Sequence, residues 1–391
     1  MISGKKLITF FLFLAFGAAS LIFVSPAQAK ETVFQKGDAK LKLGARFQSR
    51  LRLSSTAEAV DSTTGLPAVG GAVNDSTIGR DYQFDFRRAR IIMAGQVNKF
   101  MSFMAQTDIG NGTGQAASGA VEWRDAVVTL NFSKAAKVSF GLFKLQFTRS
   151  RNGSGFGQMA LDRPLPESMS TATSSVDGSI GGKRDQQIVL WGNKNKFQYR
   201  VGIGDGETTI GGKTDTFRLT GRVHYAFWDK EQGLGYKETY LGKKNILTIG
   251  AGFDSQADVN TDNSGNATGN TAVTLDVTYE KPLANGNVVN ANFAYYSRDD
   301  GNDASTSKGS GLHLTAGYKM GQWFPYLRYA TWDAKPANSD ETRINLGTNY
   351  LIKGHHAKIV FDLESIDYEV DGATKATKDH TVVTMQWQMD F

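Results

Sequence analysis

Arginine and lysine recur at every second position in several stretches of the sequence. In residues 41–53 the odd positions are mostly apolar, and four of the even positions carry a cation: Lys42, Arg46, Arg50 and Arg52. Guanidinium and ammonium groups form charge-assisted hydrogen bonds with oxyanions, and the planar fork of arginine matches the oxygens of phosphate. If the fold turns these side chains towards a common water-filled space, their chemistry is that of an anion pathway.

Later stretches of alternating sequence again carry cations at the positions between their apolar residues. Together with those of the first stretch they provide the candidate pathway residues: Arg46, Arg50, Arg88, Arg90, Arg218, Arg222 and Arg328. Acidic residues on the expected inward face of their strands are fewer: Asp108, Asp125, Asp276, Asp362, Glu364 and Asp390. Any single arginine could serve only to neutralise a neighbouring acid, so the prediction depends on the collective excess of positive charge. That excess favours anions over cations.

Catalytic and cofactor chemistry find little support in the sequence. The chain has no cysteine, and its five histidines lie on no stretch that gathers a nucleophile, a base and an orienting group. The clustered glycines of residues 202–212 lack the strand, helix and lysine of a phosphate-binding loop. We therefore expect no enzyme, no metal, no cofactor and no nucleic-acid partner, with a surface enzyme site as the alternative.

The N-terminus predicts export. Lys5 and Lys6 precede the apolar run 7–24, and Ala27-Gln28-Ala29 has the small-residue pattern of a cleavage site. This is the order of a signal peptide, which we place at residues 1–29, and the alternative is an uncleaved anchor helix. Residues 30–391 then carry 42 basic and 38 acidic side chains, a mild net charge of +4.

The exported part alternates apolar and polar residues over many short stretches. Clear examples are residues 197–203, 217–227, 273–279, 312–318, 344–352 and 357–363. Successive side chains of a strand point to opposite faces, and each stretch has roughly the length that a tilted strand needs to cross a bilayer. The 43 glycines and only seven prolines also fit strands joined by polar turns. The predicted fold class is all-β.

The connections between these stretches alternate in length. The long ones are near residues 54–79, 111–120, 148–182, 204–215, 254–271, 299–310, 333–341 and 371–378. Those between them are mostly tight turns, and 228–245 is the exception. Outer-membrane barrels alternate long extracellular loops with short periplasmic turns in this way. We predict that residues 30–391 form a transmembrane antiparallel β-barrel of about 16 strands in the outer membrane of a bacterial cell. A soluble β-sandwich is the alternative.

Several short motifs resemble those of one family of outer-membrane barrels. They are Phe86-Arg87-Arg88-Ala89-Arg90, Gly141-Leu142-Phe143-Lys144, Leu161-Asp162-Arg163-Pro164-Leu165-Pro166, Pro325-Tyr326-Leu327-Arg328-Tyr329 and Gly347-Thr348-Asn349-Tyr350. Their order along the chain is similar to that in the phosphate-selective porin O and P family. The resemblance implies a trimeric sixteen-strand barrel that passes anions along a ladder of arginines. It points to four residues in particular: Arg88, Arg90, Lys144 and Arg328.

The charge pattern and the resemblance together predict an outer-membrane porin, a water-filled channel for passive diffusion of small anions, with phosphate as a candidate solute. In porin-like barrels the third loop commonly folds inward, so we expect residues 150–182 to narrow the pore. The expected partners are small anions, outer-membrane lipid and further copies of the chain in a homotrimer. The alternatives are a general non-selective porin and an adhesin that uses the polar loops 54–79 and 254–271.

Overall fold

The computed structural model describes residues 31–54, 82–109, 121–169, 184–207, 216–369 and 379–391. The strands are β1 Glu31–Lys36, β2 Ala39–Ser54, β3 Tyr82–Gln96, β4 Met101–Ile109, β5 Val121–Asn131, β6 Lys137–Lys144, β7 Arg184–Lys194, β8 Phe197–Gly204, β9 Arg218–Ala226, β10 Ile246–Thr261, β11 Ala267–Pro282, β12 Val288–Asp299, β13 Gly309–Lys319, β14 Trp323–Ala334, β15 Glu341–Leu351, β16 Ala357–Tyr368 and β17 His380–Asp390. The two short helices in the described part are α1 Arg149–Asn152 and α2 Leu165–Met169.

The strands from β2 to β17 form a closed antiparallel barrel. Each pairs with the next along the chain, and β17 returns to pair with β2, where Gln386 lies opposite Arg50. This sixteen-strand barrel confirms the predicted fold class, and closure leaves none of these strands with a free edge in the bilayer. The additional strand β1 pairs with residues 39–43 of β2, just beyond the point where Phe391 N–H donates to Ala45 O at 2.9 Å.

The barrel wall is apolar outside and polar inside, the reverse of a soluble protein. In β14, for example, Leu327 is 53% exposed, whereas the next residue, Arg328, is only 2% exposed. Because side chains alternate between the two faces of a strand, the same contrast runs around the wall. An apolar outer band is what a barrel presents to lipid. Among the described residues, no helix is long and apolar enough to span a membrane.

The apolar core lies inside the barrel, between the wall and residues 145–169. We call residues 145–169 the inward loop. This segment follows β6 and folds into the lumen, as predicted for the third loop, while the rest of the predicted stretch lies outside the described residues. Met159 and Leu161 pack against Phe324 and Val360 of the wall. Burying each such side chain contributes about 1.5–3 kcal/mol. The contact therefore holds the loop against one side of the lumen.

Most predicted strands are confirmed, and one predicted loop is wrong. Four of the six clear stretches fall within β8, β11, β13 and β16. Of the other two, 217–227 exceeds β9 by one residue at each end, and 344–352 exceeds β15 by one residue at its C-terminal end. The long connection expected at 254–271 is instead a hairpin, because β10 and β11 continue through it to a turn at 262–266. Asp262 closes that turn by accepting the N–H groups of Ser264 and Asn266, each at 2.8 Å. The hairpin ends are polar on both faces, so alternation does not mark them as strands.

The predicted signal peptide at 1–29, the predicted loops at 111–120 and 371–378, and most of the loop at 54–79 lie outside the described residues. The exceptional connection at 228–245 is described throughout and contains no helix.

Candidate functional site

The inward loop is bound to the wall through its backbone. Three wall side chains donate to its carbonyls: Asn349 to Met159 at 2.7 Å, Lys358 to Gln158 at 2.7 Å and Gln388 to Phe156 at 3.0 Å. Its first helix, α1, is capped by Thr148, whose side chain accepts the N–H of Arg151 at 2.9 Å. Such a cap satisfies a donor that a helix start would otherwise leave unpaired. Local capping and wall contacts thus determine the path of the loop across the lumen.

A second segment, residues 227–245, enters the barrel from the opposite rim, and we call it the inward turn. It joins β9 to β10, whereas the inward loop joins β6 to β7, and alternate strands run in opposite directions. The two segments meet through backbone hydrogen bonds: Ser154 N–H donates to Tyr236 O at 3.0 Å, and Tyr236 N–H donates to Asn152 O at 3.2 Å. Together they occupy part of the lumen and confine the remaining space.

Asp162 lies where the inward loop approaches β2 and β3. Its Oδ2 is 2.7 Å from Nη1 of Arg50, and its Oδ1 is 3.5 Å from Nε of Arg87. Its backbone carbonyl accepts a hydrogen bond from Nη1 of Arg328 at 2.5 Å. The side chains of Arg87 and Asp162 are 34% and 40% exposed, so this ion pair is open to water in the lumen.

Three further cations lie around this ion pair and are held by neutral acceptors. Lys144 Nζ and Arg163 Nη2 both donate to Gly153 O, at 2.7 and 3.1 Å, and Arg88 donates to the side-chain oxygen of Gln48. Within the described residues, only one carboxylate forms salt bridges with the five cations of this group. The cationic cluster, as we call this group, consists of Arg50, Arg87 and Arg88 beside Asp162, with Arg163 and Lys144 next to each other at the carbonyl of Gly153.

Each of the other predicted pathway residues has a carboxylate partner of its own, and Arg328 also reaches the cluster through the carbonyl of Asp162. The pairs are Arg46 with Asp390 at 2.9 Å, Arg90 with Asp108 at 2.8 Å, Arg218 with Asp254 at 2.7 Å, Arg222 with Asp276 at 2.7 Å and Arg328 with Glu238 at 2.9 Å. A guanidinium withdrawn from bulk water needs such a partner, because an unpaired buried charge is very costly. Three of the eight predicted residues, Arg50, Arg88 and Lys144, therefore belong to the cationic cluster, and Arg328 borders it.

Comparison with protein families identifies this barrel. The sequence profile of the family described as phosphate-selective porin O and P matches residues 69–309, more than half of the chain. The chain belongs to this family. It is therefore an outer-membrane porin, as the sequence predicted. A sequence comparison with curated proteins finds no match.

Solved structures of porins share the fold at low sequence identity. An anion-selective porin from Comamonas acidovorans aligns with a TM-score of 0.60 at 15% identity, over 90% of this chain and 100% of its own. The outer membrane channel DcaP of Acinetobacter baumannii gives 0.56 at 13% identity, over 93% and 100%. The outer membrane protein OmpT of Vibrio cholerae, in a trimer form, gives 0.50 at 13% identity, over 90% and 99%. These likenesses confirm the barrel.

The charges of the cationic cluster in this porin are out of balance. Burial alone would raise the pKa of Asp162, but Arg50 and Arg87 hold it well below its usual range. Burial, and then the charge of Arg151, lower the pKa of Arg163 to about 9. Asp162 has an excess of cationic neighbours, and Arg163 has too few anionic ones. Both pKa shifts therefore indicate excess positive charge in the cluster. A further anion in the cluster would reduce it.

Strand alternation does not predict that Arg87 lies in the cluster, because β3 has a bulge at this residue. Arg88 lies opposite Gln48 and Phe86 lies opposite Ser49, which leaves Arg87 as the extra residue. A bulge of this kind redirects side chains between the faces of a sheet. The sequence did contain a signal: Phe86 and Arg88 share a parity, although an exposed aromatic and a lumenal cation need opposite faces.

The family resemblance alone predicts Lys144 as a pathway residue, and the structure places its ammonium group next to Arg163 of the cluster, where both donate to Gly153 O. Lys144 is the last residue of β6, and the register between β6 and β7 is unbroken up to its pairing with Arg184. No bulge turns it inward. The chain leaves the wall at this residue to form the inward loop, and the side chain follows it to Gly153. Strand parity therefore has no bearing on its direction.

Proposed function

We propose that this porin is selective for small anions and that the cationic cluster is the selective part of the lumen. The observation that carries the proposal is a group of five cations at the inward loop in which, among the described residues, Asp162 alone supplies a salt-bridging carboxylate. An anion that enters a narrow pore loses part of its hydration shell, and guanidinium and ammonium groups replace it with charge-assisted hydrogen bonds. A cation at the same place meets repulsion that a confined, poorly screened site strengthens. The ion-paired arginines outside the cluster would have a smaller share in selectivity.

Phosphate is the proposed solute within this function. Arginine presents its donors in a planar fork that fits two phosphate oxygens, and the cluster holds four arginines. The family to which the chain belongs is described as phosphate-selective. Chloride, a single atom, gains less from several forks directed at one place.

Export, membrane insertion and assembly complete the proposal. A signal peptide at 1–29 would direct the chain out of the cytoplasm, and lipid would contact the apolar outer face of the barrel. A homotrimer is supported by the likeness to OmpT of Vibrio cholerae in its trimer form. Chemical crosslinking of the purified porin followed by denaturing electrophoresis tests the trimer, and a species no larger than a single chain would contradict it.

Reversal potentials in planar bilayers test the selectivity. With the full-length porin in a KCl gradient, we expect a potential that indicates preference for Cl⁻ over K⁺. Arg87→Gln and Arg88→Gln should each move it towards the cation side. Lys134→Gln is the matched control, because it removes one positive charge from an exposed turn outside the cluster. A wild-type preference for K⁺ contradicts the proposal. Unchanged potentials in both arginine variants would show that the cluster does not determine ion selectivity.

Phosphate is tested separately from general anion preference. Inorganic phosphate is added at constant KCl, and the chloride current is measured as phosphate rises. A phosphate site predicts a saturable fall in current at concentrations well below that of chloride. A current that falls only in proportion to the share of phosphate among the anions would indicate a general anion filter without a phosphate site.

A further inference from the structure

Asp162 places an oxyanion of the chain itself against the guanidiniums of the cationic cluster. Its two carboxylate oxygens contact two different guanidiniums, those of Arg50 and Arg87. A bound phosphate would use its oxygens in the same way, because each guanidinium offers its donors to one edge of a flat or tetrahedral oxyanion. The carboxylate therefore stands where a solute oxyanion would make its strongest contacts.

We propose that Asp162 is an internal competitor, whose carboxylate occupies the oxyanion site of the cluster and leaves it when a solute oxyanion binds. This inference rests on the proposed anion function. It identifies Asp162 as the residue that sets the affinity of the cluster for oxyanions. Its consequence is that solutes bind more weakly than the five cations alone would allow. Weak binding favours release, which a conducting channel requires.

The site keeps its shape when the carboxylate leaves. Arg50 is held from the side by Gln386, whose side-chain oxygen accepts its Nε–H at 2.7 Å. Arg163 is held by the carbonyls of Ser150 and Gly153, both at 3.1 Å. These acceptors do not involve Asp162, so Arg50 stays aimed at the vacated position and Arg163 stays beside Gly153. A preorganised set of donors avoids the cost of ordering them when the ligand arrives.

The backbone at Asp162 is also held independently of its carboxylate. Arg328 donates to the carbonyl of Asp162 at 2.5 Å, and the N–H of Leu161 donates to the hydroxyl of Tyr326 at 3.2 Å. The side chain is 40% exposed, so it has water to turn into. Rotation about the side-chain bonds of one residue is enough to exchange the internal oxyanion for one from solution.

The oxygen contacts indicate the class of solute that competes. Two guanidiniums each contact a separate oxygen of Asp162, a geometry that phosphate or a carboxylate can reproduce and chloride cannot. Removal of the internal carboxylate should therefore strengthen the binding of oxyanions more than that of chloride. If the site is free of Asp162 about a tenth of the time, the gain in apparent affinity is about tenfold.

Asp162→Asn tests the proposal, because asparagine keeps the shape of the side chain and removes its charge. In planar bilayers at constant KCl, inorganic phosphate is titrated and the concentration that halves the chloride current is recorded. We expect this concentration to fall about tenfold in Asp162→Asn, and at least as far in Asp162→Ala. Glu364→Gln is the matched control: it removes a partly exposed carboxylate of the wall, only 3.8 Å from Arg343, and should leave the phosphate titration unchanged.

Each result is decisive. An unchanged half-blocking concentration in Asp162→Asn overturns the proposal, since the carboxylate would then have no effect on phosphate binding. A higher concentration also overturns it, since the carboxylate would then contribute to the phosphate site. Failure of both Asp162 variants to form channels also overturns it, because the carboxylate would then be a structural brace. A wild-type preference for K⁺ defeats the proposed function itself, whereas Cl⁻ preference with no effect of Asp162→Asn defeats only the competitor.

Discussion

Arg149 of the inward loop and Glu231 of the inward turn form a bidentate salt bridge in which both N–O distances are 2.7 Å. Both side chains are buried, and the hydroxyl of Tyr240 donates to Glu231 at 2.6 Å. The pair connects two segments that enter the barrel from opposite rims. The inward loop, and with it Asp162 and Arg163, is therefore positioned by the turn as well as by the wall.

Glu231→Gln should loosen the contact between the inward loop and the inward turn. The substitution leaves Arg149 buried without a carboxylate, which costs about 3–5 kcal/mol in comparable buried pairs. We expect larger current fluctuations in the open channel and faster proteolysis within the two inward segments. Asp303→Asn is the control, since its exposed pair with Lys308 at 2.9 Å contributes little. Currents as quiet as those of the wild type would show that backbone contacts alone hold the segments.

The same bridge predicts a pH dependence. Burial alone would raise the pKa of Glu231, but Arg149 lowers it from an ordinary 4.5 to about 2. A depressed carboxyl pKa stabilises the folded contact fully above the ordinary value, and the contribution is lost as the pH falls towards the lowered one. Current fluctuations should therefore be constant from neutral pH to about 4.5 and rise between 4.5 and 2. Glu231→Gln should fluctuate strongly at every pH, and a wild-type onset above 4.5 would contradict this origin.

Gly155→Ala should weaken anion preference without changing any charge. A Cβ at this position would lie 3.0 Å from Cζ of Arg88 and 3.1 Å from its Nη2, closer than the roughly 3.5 Å of ordinary carbon contacts. The guanidinium must move away from the inward loop, and the cluster loses part of its alignment. A smaller reversal potential in a KCl gradient is the expected result. Gly235→Ala is the control, because nothing lies within 4 Å of its added Cβ. Equal potentials in the two variants would mean that the position of Arg88 is immaterial.

Alternation over many stretches was enough to predict the barrel, and along β2 it placed Arg50 inside, because only one face of that strand carries charge. It could not predict that Arg50 would meet Asp162, which is 112 residues away and lies on a loop. Period-two patterning specifies the face of a strand but contains no information about partners across the lumen. The inward turn has no alternation at all, so its position depends on tertiary contacts such as those of Tyr236.

Tyr236 should be the most sensitive residue of the inward turn. The guanidiniums of Arg149, Arg200 and Arg222 lie 4.8, 4.4 and 5.4 Å from the centre of its ring. Each cation–π contact contributes about 0.5–2 kcal/mol. Tyr236→Phe keeps the ring and loses the hydrogen bonds of the hydroxyl, whereas Tyr236→Leu loses both. We expect the midpoint of thermal unfolding in detergent to fall slightly for Phe and further for Leu. Equal midpoints for the two variants would show that the ring contributes nothing beyond its hydroxyl.

Arg218 and Asp254 provide the test of the ion-paired arginines of the wall. The pair is buried, and Arg218 Nε donates to Asp254 Oδ1 at 2.7 Å. The two charges cancel at short range, so their joint field in the lumen is small. Arg218→Met combined with Asp254→Leu should therefore leave the reversal potential unchanged and preserve assembly, since apolar residues of similar volume can replace a buried ion pair at little cost.

Arg218→Met alone should behave differently, because it leaves Asp254 buried without a partner at a cost of about 3–5 kcal/mol. A lower midpoint of thermal unfolding, restored in the double variant, would assign a structural role to the arginine. If the double variant instead moved the reversal potential as far as Arg88→Gln does, Arg218 would act on the permeating ion despite its partner. The parity of the strand would then predict the anion pathway better than the pairing of its charges.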